Sequence, residues 1–153
     1  GGNSFSAFHI WGPGKTAKLQ CDISVMISPA MFRRFVQPHL RTQCDWLDYS
    51  LYHLDGEDAI VHLDSLLEIE SLDAVEWTPV DAWMENPYDV TKWYDLFRRI
   101  KAAGKSVQAI RLTAEQVIPL LDAVGPEGMF IETRPIDQKS AEKVLRDAEP
   151  YLT

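Results

Sequence analysis

Hydrophobic positions recur along this chain in two periods, and their alternation lays out the fold. Phe5–Trp11 carries apolar residues at Phe8, Ile10 and Trp11 and reads as a strand, broken by Gly12-Pro13-Gly14. Lys15–Ile27 follows as a long connection. Ser28-Pro29 then opens a helix, because a serine side chain accepts from the free N–H groups of a first turn and proline fits its first position. Met31, Phe32, Phe35, Val36, Leu40, Cys44 and Leu47 continue at helical spacing, with a kink expected at Pro38. Tyr49–Leu54 is the next strand, and Glu57–Ile69 a helix with a stripe of Ala59, Ile60, Leu63, Leu66 and Leu67. Ala74–Thr78 is a short strand stopped by Pro79, and residues 80–87 form a loop. Asp89–Ala103 is a helix closed by Gly104. Lys105–Leu112 contains a strand, and Thr113-Ala114-Glu115-Gln116 is a capping box that starts a helix ending near Val124. Gly128–Thr133 is the last strand and Ile136–Leu152 mostly the last helix.

Strand and helix therefore alternate five times. Strands joined through helices run parallel with right-handed crossovers, which makes the class α/β. Two architectures meet this pattern: an open, doubly wound sheet, or part of a (β/α)8 barrel, which needs eight units and typically about 250 residues. The pattern alone leaves both open. Gly12-Pro13-Gly14-Lys15 lacks the spacing of a phosphate-binding loop.

Composition narrows the function classes. With 46% hydrophobic and 25% charged residues in 153 positions, the chain has the makeup of one folded soluble domain rather than a disordered segment. A formal charge of −8 speaks against nucleic acid and anionic membrane as partners, since both demand clustered Lys and Arg. No apolar run reaches the roughly 18 residues of a membrane span. Two cysteines, Cys21 and Cys44, make a disulfide framework improbable and a reducing cytoplasm the default location. Cys44 belongs to an apolar helix stripe, and nothing in the sequence sets a base beside Cys21.

One segment carries a resemblance. Ser28-Pro29-Ala30-Met31-Phe32-Arg33-Arg34-Phe35-Val36-Gln37-Pro38, after a strand and a long loop, resembles the uroporphyrinogen decarboxylase superfamily, which also includes corrinoid-dependent methyltransferases. The phrases YSLYHLDG (49–56), DAVEWTP (73–79), AAGKSVQAI (102–110) and GMFIET (128–133) follow in the same order. The resemblance runs from about Phe5 to the end. It implies a partial (β/α)8 TIM barrel of five parallel β-α units, equivalent to strands four to eight of a family barrel more than twice this length. Residues 1–153 would then be a single C-terminal portion whose N-terminal strands are missing. Strand positions Phe8, Ile10, Leu51, Val75, Val107, Ile110, Phe130 and Ile131 would be partly uncovered, and the missing half, a second copy of the chain or a rearranged sheet would cover them.

In a parallel barrel the working residues stand at the C-terminal strand ends. Those ends are Trp11, His53 to Asp55, Glu76-Trp77, Arg111 and Glu132 to Arg134. In the zinc-bearing methyltransferases of the superfamily, a strand ends in His-x-Cys-Gly and a distant cysteine completes the site. This chain has His53-Leu54-Asp55-Gly56, with Glu132 near the second cysteine position. No thiolate remains, so His53, Asp55 and Glu132, with Glu76 as a fourth candidate, would hold a divalent metal (zinc or a harder ion) through N and O donors. Without a metal, the same groups would hydrogen-bond a polar substrate. Trp11 and Trp77 are candidates to line a pocket for a flat ring. Asp22 and Ser24, in the loop after the first strand, are candidates to reach the barrel mouth. Arg111 and Arg134 could grip a carboxylate or phosphate.

The expected activity of the parent protein is methyl transfer, acting with a corrinoid protein or small methyl donor. Decarboxylation of a tetrapyrrole-like carboxylated substrate is the alternative. The decarboxylase branch carries a histidine where this chain has Ile131-Glu132-Thr133-Arg134, which counts against it. A third possibility is a non-catalytic barrel fragment, and the isolated chain is expected to be inactive.

Overall fold

A computed structural model describes residues 1–84 and 88–152. Its backbone contacts divide the chain into two compact units, Gly1–Glu76 and Trp77–Thr153.

The first unit opens with an antiparallel hairpin of β1 (Gly2–Phe5) and β2 (Ile10–Pro13), in which Phe5 pairs with Ile10. A 3-10 turn at Ser6–Phe8 and His9, at φ +53°, form its tip. This corrects the reading of Phe5–Trp11 as the first parallel strand. That strand is β3 (Thr16–Leu19), inside the stretch expected to be a connection. Four residues containing one lysine and one alanine give too short an alternation to stand out in sequence. β3 pairs in parallel with β4 (Tyr49–Asp55).

The crossover between them holds α1 (Pro29–Phe35) and α2 (Gln37–Trp46). Ser28 Oγ accepts from Met31 N at 3.3 Å, the cap that the sequence predicts. The helical run breaks at Val36, and Pro38 falls in the first turn of α2, where its missing N–H costs no helical bond. Phe32, Leu40 and Cys44 turn inward. The buried ring of His62 stacks on Phe32 at 4.4 Å and its Nε2 donates to Ser24 O at 2.8 Å. Glu57–His62 is a 3-10 turn leading into α3 (Leu63–Leu67), so the longer helix expected there is half 3-10. β5 (Ala74–Thr78) begins where Asp73 accepts from Ser50 N at 2.7 Å and from Ser50 Oγ at 2.9 Å.

In the second unit, Trp77 is fully buried and meets Trp93 edge-on at 4.7 Å. The expected loop contains the short α4 (Asp81–Met84); residues 85–87 lie outside the described residues. α5 (Tyr94–Ala102) buries Leu96, Phe97 and Ile100 and ends before Gly104, at φ +76°. β6 (Ser106–Leu112) pairs in parallel with β7 (Met129–Thr133). Between them α6 (Ala114–Val124) starts with the Thr113–Gln116 capping box. α7 (Gln138–Ala148) supplies Val144, which packs with Val117 and Leu121 over Met129 and Ile131.

β3 to β7 form one five-stranded sheet in sequential order. A doubly wound sheet reverses its strand order at a switch point, and this sheet has none. The uncovered lining expected above is corrected at four of its eight positions: Leu51, Val75, Val107 and Ile110 are exposed by 9% or less, whereas Phe8, Ile10 and Ile131 are partly exposed and Phe130 keeps 41%. No helix among the described residues is long and apolar enough to cross a membrane.

Candidate functional site

His53 is the centre of the first unit's polar cluster. It stands near the C-terminal end of β4, and Glu76 stands on β5. The Glu76 side chain has no solvent exposure, and its Oε2 meets Nδ1 of His53 in a short hydrogen bond. An ionised carboxylate only accepts, so Nδ1 carries the hydrogen and the ring is fixed in orientation. The opposite nitrogen, Nε2, lies 3.6 Å from Asp55 Oδ2, whose side chain is 55% exposed. A neutral ring held this way offers Nε2 as an acceptor facing a second acceptor. The space between them suits a donor hydrogen from a bound molecule. Gly56, at φ +80°, lets the chain turn immediately after Asp55, a conformation that a side chain would strain.

Four further side chains complete the cluster. Phe8, at the hairpin tip, meets the His53 ring edge-on at 4.9 Å. Lys18 on β3 places its ammonium 4.8 Å from the centre of the Phe8 ring. Lys18 also donates to Gln20, whose amide donates to Asp22, both through short contacts. The cluster therefore gathers three carboxylates, Asp22, Asp55 and Glu76, against one lysine. Sequence reasoning missed Phe8 and Lys18 because it assigned one to a sheet strand and the other to a loop. The recoverable signal was the alternating Thr16-Ala17-Lys18-Leu19, which puts a lysine one residue from a strand end.

The remaining candidates of this unit have other surroundings. Trp11 lies in the hairpin rather than at an end of the parallel sheet, and is 69% exposed. Ser24 is buried, and its carbonyl serves His62. Tyr52 is buried beside Cys21 and Ser24. Burial, followed by the charges of Cys21 and Asp22, pushes its phenol well above the usual range. Burial also raises the Cys21 thiol, with Asp22 adding to the shift, so that thiol is a poor nucleophile.

In the second unit, Trp77 follows Glu76 on β5 and so points to the opposite face, among the buried aromatics. Arg111 and Arg134 line a pocket of about 330 Å³ together with Thr113, Glu115 and Ser140. Arg111 adopts φ +58° where the β6–β7 register shifts, so a bulge sets its direction. Arg134 donates from Nε and Nη2 to Glu132 Oε1, both at 2.9 Å. Carboxylates already serve both adjoining helix starts. Asp137 accepts from Ser140 N at 2.7 Å, and Glu115 accepts from its own N–H; these bonds hold both carboxyls below the usual range.

His53 and Asp55 offer two metal donors with Glu76 behind the imidazole. Among the described residues, however, no group of three or more His, Cys, Asp or Glu side chains could hold a metal ion. No protein-family model, curated protein or solved structure matches the chain.

Proposed function

We propose that His53 is the general base of a transfer reaction. It takes the proton from an acceptor hydroxyl, thiol or N–H while that atom's electron pair bonds the transferred group, whose bond to its donor breaks with the electron pair staying on the donor. The observation that carries this reading is the hydrogen bond of fully buried Glu76 to Nδ1, which orients Nε2 toward the half-exposed Asp55. A buried carboxylate behind a histidine fixes the tautomer and stabilises the charge that the ring gains on taking a proton. The transferred group is a methyl, as the resemblance implies, supplied by a corrinoid on a partner protein or by a small methyl donor. The proton released by the acceptor passes to His53 and then, through exposed Asp55, to water. The sequential parallel sheet, with this cluster near C-terminal strand ends, supports reading the chain as part of a (β/α)8-type barrel.

Charge separates this reading from the lyase alternative. A carboxylated substrate needs cationic groups around it, and the cluster sets Lys18 against Asp22, Asp55 and Glu76. The test is visible spectroscopy of the full chain with methylcobalamin and a panel of alcohol, thiol and phenol acceptors. Demethylation of the cobalamin should slow by about a hundredfold or more in His53→Gln. An unaltered rate in that variant, or turnover of carboxylated porphyrinogens without reaction of any acceptor, would overturn the proposal.

A further inference from the structure

Phe8 reaches His53 from the tip of the amino-terminal hairpin. Its ring is held on one side by the His53 edge at 4.9 Å and faced by the Lys18 ammonium at 4.8 Å. It is delivered by the tip of the two-stranded hairpin, which packs against β3. The hairpin's clamp to β3 lies at the end away from that tip. There Thr16 N donates to Asn3 Oδ1 at 2.8 Å and the Asn3 amide donates to Thr16 O. Beside Phe8, His9 adopts a left-handed backbone that a side chain rarely takes.

We propose that Phe8 is an aromatic plug that fills the ligand subsite over His53, and that the ligand displacing it is a neutral planar aromatic ring bearing one O–H or N–H donor. This deepens the reading of His53 as a base and rests on it only for the role of the donor hydrogen. The ligand's chemistry follows from what surrounds the plug. Lys18 faces the position of a ring and favours an electron-rich π face. His53 Nε2 and Asp55 Oδ2, 3.6 Å apart, both accept and thus select a donor. Asp22 and Asp55 repel a carboxylate brought to the same place. While closed, the plug reduces apparent affinity in proportion to the time it occupies the subsite.

Binding of phenol, toluene and benzoate to the full chain, followed through the His53 ring signals by nuclear magnetic resonance, tests this. Phenol should shift the His53 signals, and its affinity should rise about tenfold in Phe8→Ala, as expected for a plug closed about nine-tenths of the time. Phe8→Leu keeps apolar bulk at the hairpin tip but removes the π face from Lys18. It should also bind phenol more tightly than wild type, and it carries the test should Phe8→Ala lose its folded spectrum. Equal phenol affinity in wild type and the folded variants would overturn the plug. Benzoate or toluene binding as well as phenol would overturn the ligand class. Tighter phenol binding in Phe8→Ala with an unmoved Nε2 signal would uphold the plug and remove the base reading instead.

Discussion

The two units each bring a carboxylate to a basic side chain, and the two pairs differ in the respect that governs their energy. In the first unit Glu76 has no exposure and holds an imidazole that is itself only 11% exposed. In the second, Glu132 holds a guanidinium that remains 63% exposed. Water competes for the second pair and is shut out of the first, so similar chemistry gives a rigid orienting contact in one place and a screened surface bridge in the other. The contrast teaches why the first pair is the better candidate for chemistry. A base needs a fixed tautomer, and only the dry contact fixes one.

The largest effect is expected from Glu76→Ala. Removing one member of a buried polar pair leaves the other without compensation and typically costs about 3 kcal/mol. A shift of that size in urea unfolding is expected, and a loss below about 1 kcal/mol would make Glu76 no more important than a surface residue. Tyr52→Phe comes next and sharpens the account of burial. The folded phenol is raised, so its contribution is complete below the unfolded value of about 10 and is lost as pH climbs beyond it. Thermal stability of the wild type should therefore fall more steeply above pH 10 than that of Tyr52→Phe. Arg134→Ala should change stability by less than about 1 kcal/mol in the same urea assay, as an exposed bridge does. The smallest effect is expected from Arg33→Ala. Arg33 donates to both oxygens of exposed Glu68 at 2.8 and 2.9 Å and, with Gln37, holds that carboxyl below the usual range. The contribution of a lowered carboxyl is present above its unfolded value and lost as pH falls through the folded one. Arg33→Ala should therefore melt slightly below wild type near pH 7 and show a slightly shallower acid decline, the two converging at low pH.

Much of the fold was legible because most elements announce themselves locally. Ser28-Pro29 and the Thr113–Gln116 box mark helix starts by their own hydrogen bonds. Runs such as Tyr49–Asp55 are long enough to show a strand. The amino-terminal hairpin was not legible, because pairing of Phe5 with Ile10 depends on a tip conformation at Ser6–His9 that has no Gly-containing turn signature. Reading Phe5–Trp11 as a sheet strand leaves Thr16–Leu19, and Lys18 with it, in a connection. At the site, His53, Asp55 and Glu76 were readable as polar residues near strand ends. The grip of Glu76 on Nδ1 was not, because it depends on the register of two strands rather than on either sequence alone. Trp11 shows the converse: a residue chosen for its place at a sheet-strand end loses that place once the strand proves to be a hairpin.

The central claim is that Glu76 commits Nδ1 of His53 and leaves Nε2 as the working atom. Long-range proton–nitrogen correlation spectra of the His53 ring near neutral pH, in wild type and Glu76→Gln, measure this directly. A hydrogen on Nδ1 and an acceptor Nε2 are expected in the neutral wild-type ring, with that preference relaxed in the variant. A neutral wild-type ring carrying its hydrogen on Nε2, unchanged in Glu76→Gln, would contradict it.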